Sequence, residues 1–147
     1  MPGLCFTDET EQELEKVDGS ISGLAAAGKI YSHLAALSAY SQSQFEGSFF
    51  GWCKHSGDHR VLSPKSFAMR ESETTTTGNR SREARTFKIA TEVDPSGKIF
   101  MEPHTKPLRT GHRQVPRIYF FDDTAGATKS VHVGFIGPHD LIENLNK

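Results

Sequence analysis

The chain has 147 residues, a net charge of −1, 35% hydrophobic and 24% charged side chains and ten phenylalanines, a balance that suits a folded domain and excludes a disordered one. That length fits a single domain, 1–147, able to bury roughly two-thirds of the surface it would expose unfolded. No basic stretch leads into an apolar run at the start, and nothing approaches the roughly 18 apolar residues of a membrane span, so the expectation is a cytoplasmic protein without a membrane partner.

Cys5 and Cys53 are too few for a disulfide framework and fit reduced thiols, with a single bridge between them as the alternative. The charge is unevenly spread: residues 1–53 sum to −5, residues 54–117 to +6 and residues 118–147 to −2. A basic centre between acidic ends suits an anion or nucleic-acid surface, or else a surface neutralised by the chain's own acidic helix.

In chain order, Thr7 or Asp8 caps a helix over about 8–18, whose acidic first turn complements the helix dipole. A longer amphipathic helix follows over about 22–44, with Leu24, Ala27, Tyr31, Leu34 and Ser38 on one stripe and Ile30, Leu37 and Tyr40 broadening it. That stripe packs on the protein's own core, or forms a seam with a partner helix or a second copy. Residues 45–52 are aromatic and glycine-bearing, and fit either a strand or a connector. Cys53, His55, Asp58 and His59 have metal-ligating chemistry, but no second ligand pair accompanies them, and a polar turn into a strand at Val61 and Leu62 is the simpler reading.

Residues 71–85 read as an exposed loop, with a helical turn over 81–85; its hydroxyls and Arg80, Arg82 and Arg85 suit phosphate contact. The loop lacks the GKS or GKT of a nucleotide-binding P-loop. Alternating patterns then predict strands near 86–93, 98–106, 117–122 and 130–136, the first two joined as a hairpin by Asp94, Pro95, Ser96 and Gly97. Helices followed by an antiparallel sheet make an α+β domain.

Period-two alternation puts Phe100, Glu102, His104 and Lys106 on one face of their strand, sets Arg117 with Tyr119, Phe121 and Asp123, and opposes His132 to Val131, Val133 and Phe135. Gly134 and Gly137 suggest a bulge or a close backbone approach. Asp122 and Asp123 point to opposite faces, one capping the turn and the other exposed.

Paired as a meander, these strands collect Glu102, His104, Lys106 and His132 as a candidate catalytic group, with Arg80, Arg82, Arg85 and Arg117 as ligand-binding residues. Such residues suit phosphodiester chemistry, either with a divalent metal or with two histidines as acid and base. Asp94, Glu102, His104 and Lys106 do not keep the spacing of the restriction-type nuclease core, in which an acidic residue and a lysine stand two positions apart. The sequence therefore points to a phosphate-ligand or nucleic-acid-binding domain with nuclease or other phosphodiesterase (hydrolase) activity as its enzymatic form. The competing readings are a non-catalytic protein-interaction module, homo-oligomeric or a subunit of a larger bacterial-type assembly, and a small-molecule site lined by histidines.

Overall fold

The computed structural model describes residues 1–7, 10, 12, 23–71, 79–108 and 116–138. The described elements run β1 (Leu4–Phe6), α1 (Gly23–Gln42), α2 (Phe49–His55), a 3-10 turn (Pro64–Ser66), β2 (Phe67–Ala68), α3 (Asn79–Ala84), β3 (Thr86–Lys88), β4 (Lys98–Phe100), β5 (His104–Thr105), β6 (Pro116–Asp122) and β7 (Val131–Pro138). They form an α+β fold built on a five-stranded sheet of order β1-β7-β6-β5-β2, with β3 and β4 as a separate two-stranded sheet.

The expected meander is present from β5 through β6 to β7, with His104 opposite Tyr119 and Tyr119 opposite Phe135. Two expectations are corrected. The sheet is mixed rather than antiparallel, because β1 pairs parallel with β7 along Leu4, Cys5 and Phe6. The strand expected over 98–106 is two strands in different sheets: Met101 donates its amide to the Arg85 carbonyl at 2.9 Å, and Pro103 has no amide to give, so the ladder breaks between Phe100 and His104.

The hairpin forms where expected but is shorter. Thr86 pairs with Phe100 and Lys88 with Lys98, and the Gly97 amide closes the turn on the Asp94 carbonyl at 2.9 Å. Past Ile89 the chain curls into its own turn, with the Val93 amide 2.9 Å from the Ala90 carbonyl, so residues 90–93 leave the strand.

Both faces of the large sheet are covered. On one, Ile118, Phe120, Val131, Val133 and Ile136 meet Ile30, Leu34 and Leu37 of α1 and Phe49 and Trp52 of α2. On the other, Tyr119, Phe121 and Phe135 meet Phe87, Ile89, Ile99 and Met101. The phase changes within β7: Tyr119 pairs with Phe135 but Phe120 with Val133, so Gly134 is the extra residue of a bulge. The bulge turns Phe135 away from Val131 and Val133, with which alternation had grouped it. A Cβ on Gly134 would lie 2.6 Å from the Met101 sulfur and 2.8 Å from the Phe87 Cβ, so the hairpin seats directly on this glycine.

α1 carries alanine, the best helix former, at residues 25–27 after its first two residues, and buries Ile30, Leu34, Leu37 and Tyr40. Its stripe is rotated from the expected one, leaving Tyr31 exposed, and its apolar face is covered by the chain's own sheet. Residues 49–55 are helical because the Ser48 side chain caps the Gly51 amide at 3.2 Å and the buried face carries Phe49 and Trp52. No strand forms at Val61 and Leu62, which instead pack singly against the helix-side core. The helix expected over 8–18 lies outside the described residues except at its start, where the Thr7 hydroxyl accepts the Thr10 amide at 3.2 Å as a cap would. No helix among the described residues is long and apolar enough to cross a membrane.

Candidate functional site

On the hairpin side of the sheet, four polar side chains from four elements converge at the β5–β6 pair. Glu71 follows β2, Arg85 follows α3, His104 is in β5 and Tyr119 is in β6. Arg85 donates through Nε to Glu71 Oε1 at 2.9 Å and through Nη1 to the Ser81 carbonyl at 3.2 Å. The Tyr119 hydroxyl donates to the same Glu71 oxygen, and His104 Nδ1 stands 3.6 Å from it. The imidazole stacks on the Tyr119 ring with centroids 4.7 Å apart. Burial is deep, with Arg85 4% and His104 7% exposed.

Hydrogen bonding fixes the state of His104. Its Nδ1 lies 2.8 Å from the Glu102 carbonyl oxygen, which can only accept, so Nδ1 carries the proton and Nε2 the lone pair in the neutral ring. Burial lowers its pKa; the bond to the Glu102 carbonyl and the Glu71 charge oppose this, and Lys106 and Arg117 push it further down. His104 is therefore a neutral base held near two cations. Burial and the bond to Glu71 raise the Tyr119 hydroxyl well above its ordinary range, Arg85 opposing them, so it stays protonated and donates to Glu71.

The residues singled out from the sequence divide into three groups. Glu102, His104, Lys106, Arg117 and Arg85 are brought together, although not by a shared strand face. Glu102 accepts the Glu71 amide at 3.2 Å through its carboxylate, and Arg117 donates to the Leu108 and Pro116 carbonyls at 3.3 and 3.0 Å. Arg85, expected on an exposed loop, is instead interior, because Glu71 neutralises it across the sheet edge. His132 is apart: it pairs with Phe121 of β6 while His104 pairs with Tyr119, which puts the histidines two strand spacings, roughly 10 Å, apart across the sheet. Arg82 is exposed and lies over the Phe100 ring at 4.2 Å, and the Arg80 side chain lies outside the described residues, as do the threonines of that loop.

Glu71 and Tyr119 were not singled out by pattern, since one sits in a polar run and the other in an apolar strand. Among the described residues no group of three or more His, Cys, Asp or Glu side chains is placed to hold a metal ion, including at Cys53, His55, Asp58 and His59. Asp58 there is engaged by Arg60, with Nε at 3.0 Å and Nη2 at 2.9 Å, which holds its carboxyl well below the usual range. Asp122 and Asp123 do point opposite ways. Asp122 takes the Tyr40 hydroxyl on the helix side and Asp123 holds Thr128 on the other; both are half-buried and both accept an amide of the turn, so neither is the exposed one of the expected pair.

Comparison with protein-family models, with curated proteins and with solved structures finds no match to this chain.

Proposed function

We propose that the chain binds a phosphate-bearing ligand, nucleic acid being the class that suits its basic middle segment, and that His104 is the base of a phosphodiesterase-type reaction there. The observation that carries this reading is the fixed tautomer of His104, Nδ1 to the Glu102 carbonyl at 2.8 Å, beside the charges of Lys106 and Arg117. A phosphate drawn to those two cations would meet the lone pair of Nε2, which takes a proton from water or from a ribose hydroxyl as the attacking oxygen approaches phosphorus. Glu71, Arg85 and Tyr119 hold the ring from behind, and His132 has no part in this step. The thiols of Cys5 and Cys53, which are not joined, support a reducing compartment such as the cytoplasm.

The test uses labelled single- and double-stranded DNA and RNA. Retardation at low salt that weakens steeply between about 50 and 200 mM, and that falls in Lys106→Gln and Arg117→Gln, is expected, because each phosphate contact releases condensed counterions. Cleavage, assayed with magnesium, manganese or chelator, should be lost in His104→Gln and kept in His132→Gln. No retardation of any of the four at low salt would reject nucleic acid as the ligand, and a His104→Gln variant as active as the parent would reject the base.

A further inference from the structure

A second group of chemical side chains stands elsewhere on the same sheet. Leu4 and Phe6 of β1 pair with Val131 and Val133 and pack with them in the helix-side core, so alternation turns Cys5 and His132, which pair with each other, to the opposite face. There the two line a cavity of about 300 Å³ together with Thr7, Lys88 and Ile89. The thiol is accessible, whereas His132 is only 4% exposed.

His132 is held from behind. Its Nε2 lies 2.8 Å from the Thr128 hydroxyl, which lies 2.6 Å from Asp123 Oδ2; that oxygen also accepts the Thr128 amide at 2.9 Å. A carboxylate only accepts, so the Thr128 proton goes to Asp123 and the Thr128 oxygen accepts Nε2–H. The neutral ring then carries its lone pair on Nδ1. Gly126 closes the turn around the carboxylate, since a Cβ there would stand 1.9 Å from Asp123 Oδ1.

We infer that Cys5 and His132 form a thiol acyl-transfer site for a small ester or thioester. Neighbouring register positions on one face are close enough to pass a proton directly or through one water. His132 Nδ1 takes the proton from Cys5 Sγ, and the sulfur forms a bond to the carbonyl carbon as the bond from that carbon to the leaving oxygen or sulfur breaks. The proton passes from His132 to the leaving group. Water, deprotonated by the same nitrogen, then attacks the acyl-cysteine, releasing a carboxylic acid and the free thiol. Thr128 and Asp123 are positioning residues, the orienting partner that a nucleophile and base pair requires. Cys53 is the internal reference: it packs against the core, and burial pushes its thiol pKa up. None of this depends on the phosphate site at His104.

The experiment is stopped-flow release of 4-nitrophenolate from 4-nitrophenyl acetate by the full chain, with the acetyl group mapped by peptide mass spectrometry. A stoichiometric burst that acetylates Cys5 is expected, absent in Cys5→Ser and slowed about tenfold or more in His132→Asn. Thr128→Val, which leaves both reacting groups in place, should move the pH profile of the burst, and circular dichroism checks that each variant folds. No burst from the parent, acetylation of Cys53 instead of Cys5, or an equal burst in His132→Asn and Thr128→Val would overturn the inference.

Discussion

Glu71 Oε1 lies 2.9 Å from Nε of Arg85, fourteen residues further along the chain, and their side chains are 10% and 4% exposed. Two charges so deep hold one another in place, and losing one strands the other. Glu71→Leu should therefore cost about 3–5 kcal/mol, the double variant Glu71→Leu, Arg85→Met distinctly less. Urea unfolding measures both, and a midpoint unchanged in the single variant would contradict the pairing.

Acid should weaken the fold through His33. Burial, and then the Lys29 charge, lower its pKa from 6.5 to about 4, and its Nδ1 has no hydrogen-bond partner among the described residues. The unfolded chain thus binds a proton below about pH 6.5 that the folded chain refuses until about pH 4, so stability falls as pH falls across that window, by up to about 3 kcal/mol at the acid end. His104 and His132, both also lowered, act in the same direction. Urea midpoints between those pH values should drop less in His33→Met than in the parent.

Two glycines should respond with opposite sign to alanine. At Gly134 the new methyl meets buried Met101 and the Phe87 Cβ, so the hairpin must shift, at a cost of about 1–3 kcal/mol. Gly28 lies exposed inside α1 with nothing among the described residues within 4 Å of a Cβ, so alanine should stabilise by about 0.5–1 kcal/mol. Thermal unfolding of the two variants should move to either side of the parent.

How much of this could be read from residues alone follows from the range of each interaction. The hairpin turn was legible because proline and glycine act on their own backbone, and β6 and β7 because they are the longest strands, of seven and eight residues, although the bulge at Gly134 changes the phase within β7. β1 and β2, of three and two residues, carry no periodicity and exist only through their pairing. The break at Pro103 carried a local signal that the surrounding alternation masked. His104, Glu102, Arg85 and Arg117 were singled out for their chemistry, but the side chains that organise them, Glu71 and Tyr119, join through contacts 14 to 48 residues apart, which no local pattern encodes. His132 was grouped with His104 because strand order was inferred while the spacing across three strands was not.

An anion held by Lys106 and Arg117 against His104, as proposed, would be felt by the imidazole, and titration of the His104 ring by NMR with and without a saturating short oligonucleotide reads it. The free protein should show a pKa below 6.5, set by burial and by the two cations. Bound phosphate offsets those cations, so the His104 pKa should rise on binding, and affinity should increase as pH falls through the bound value. An oligonucleotide that binds and leaves the His104 titration unmoved would contradict the assignment.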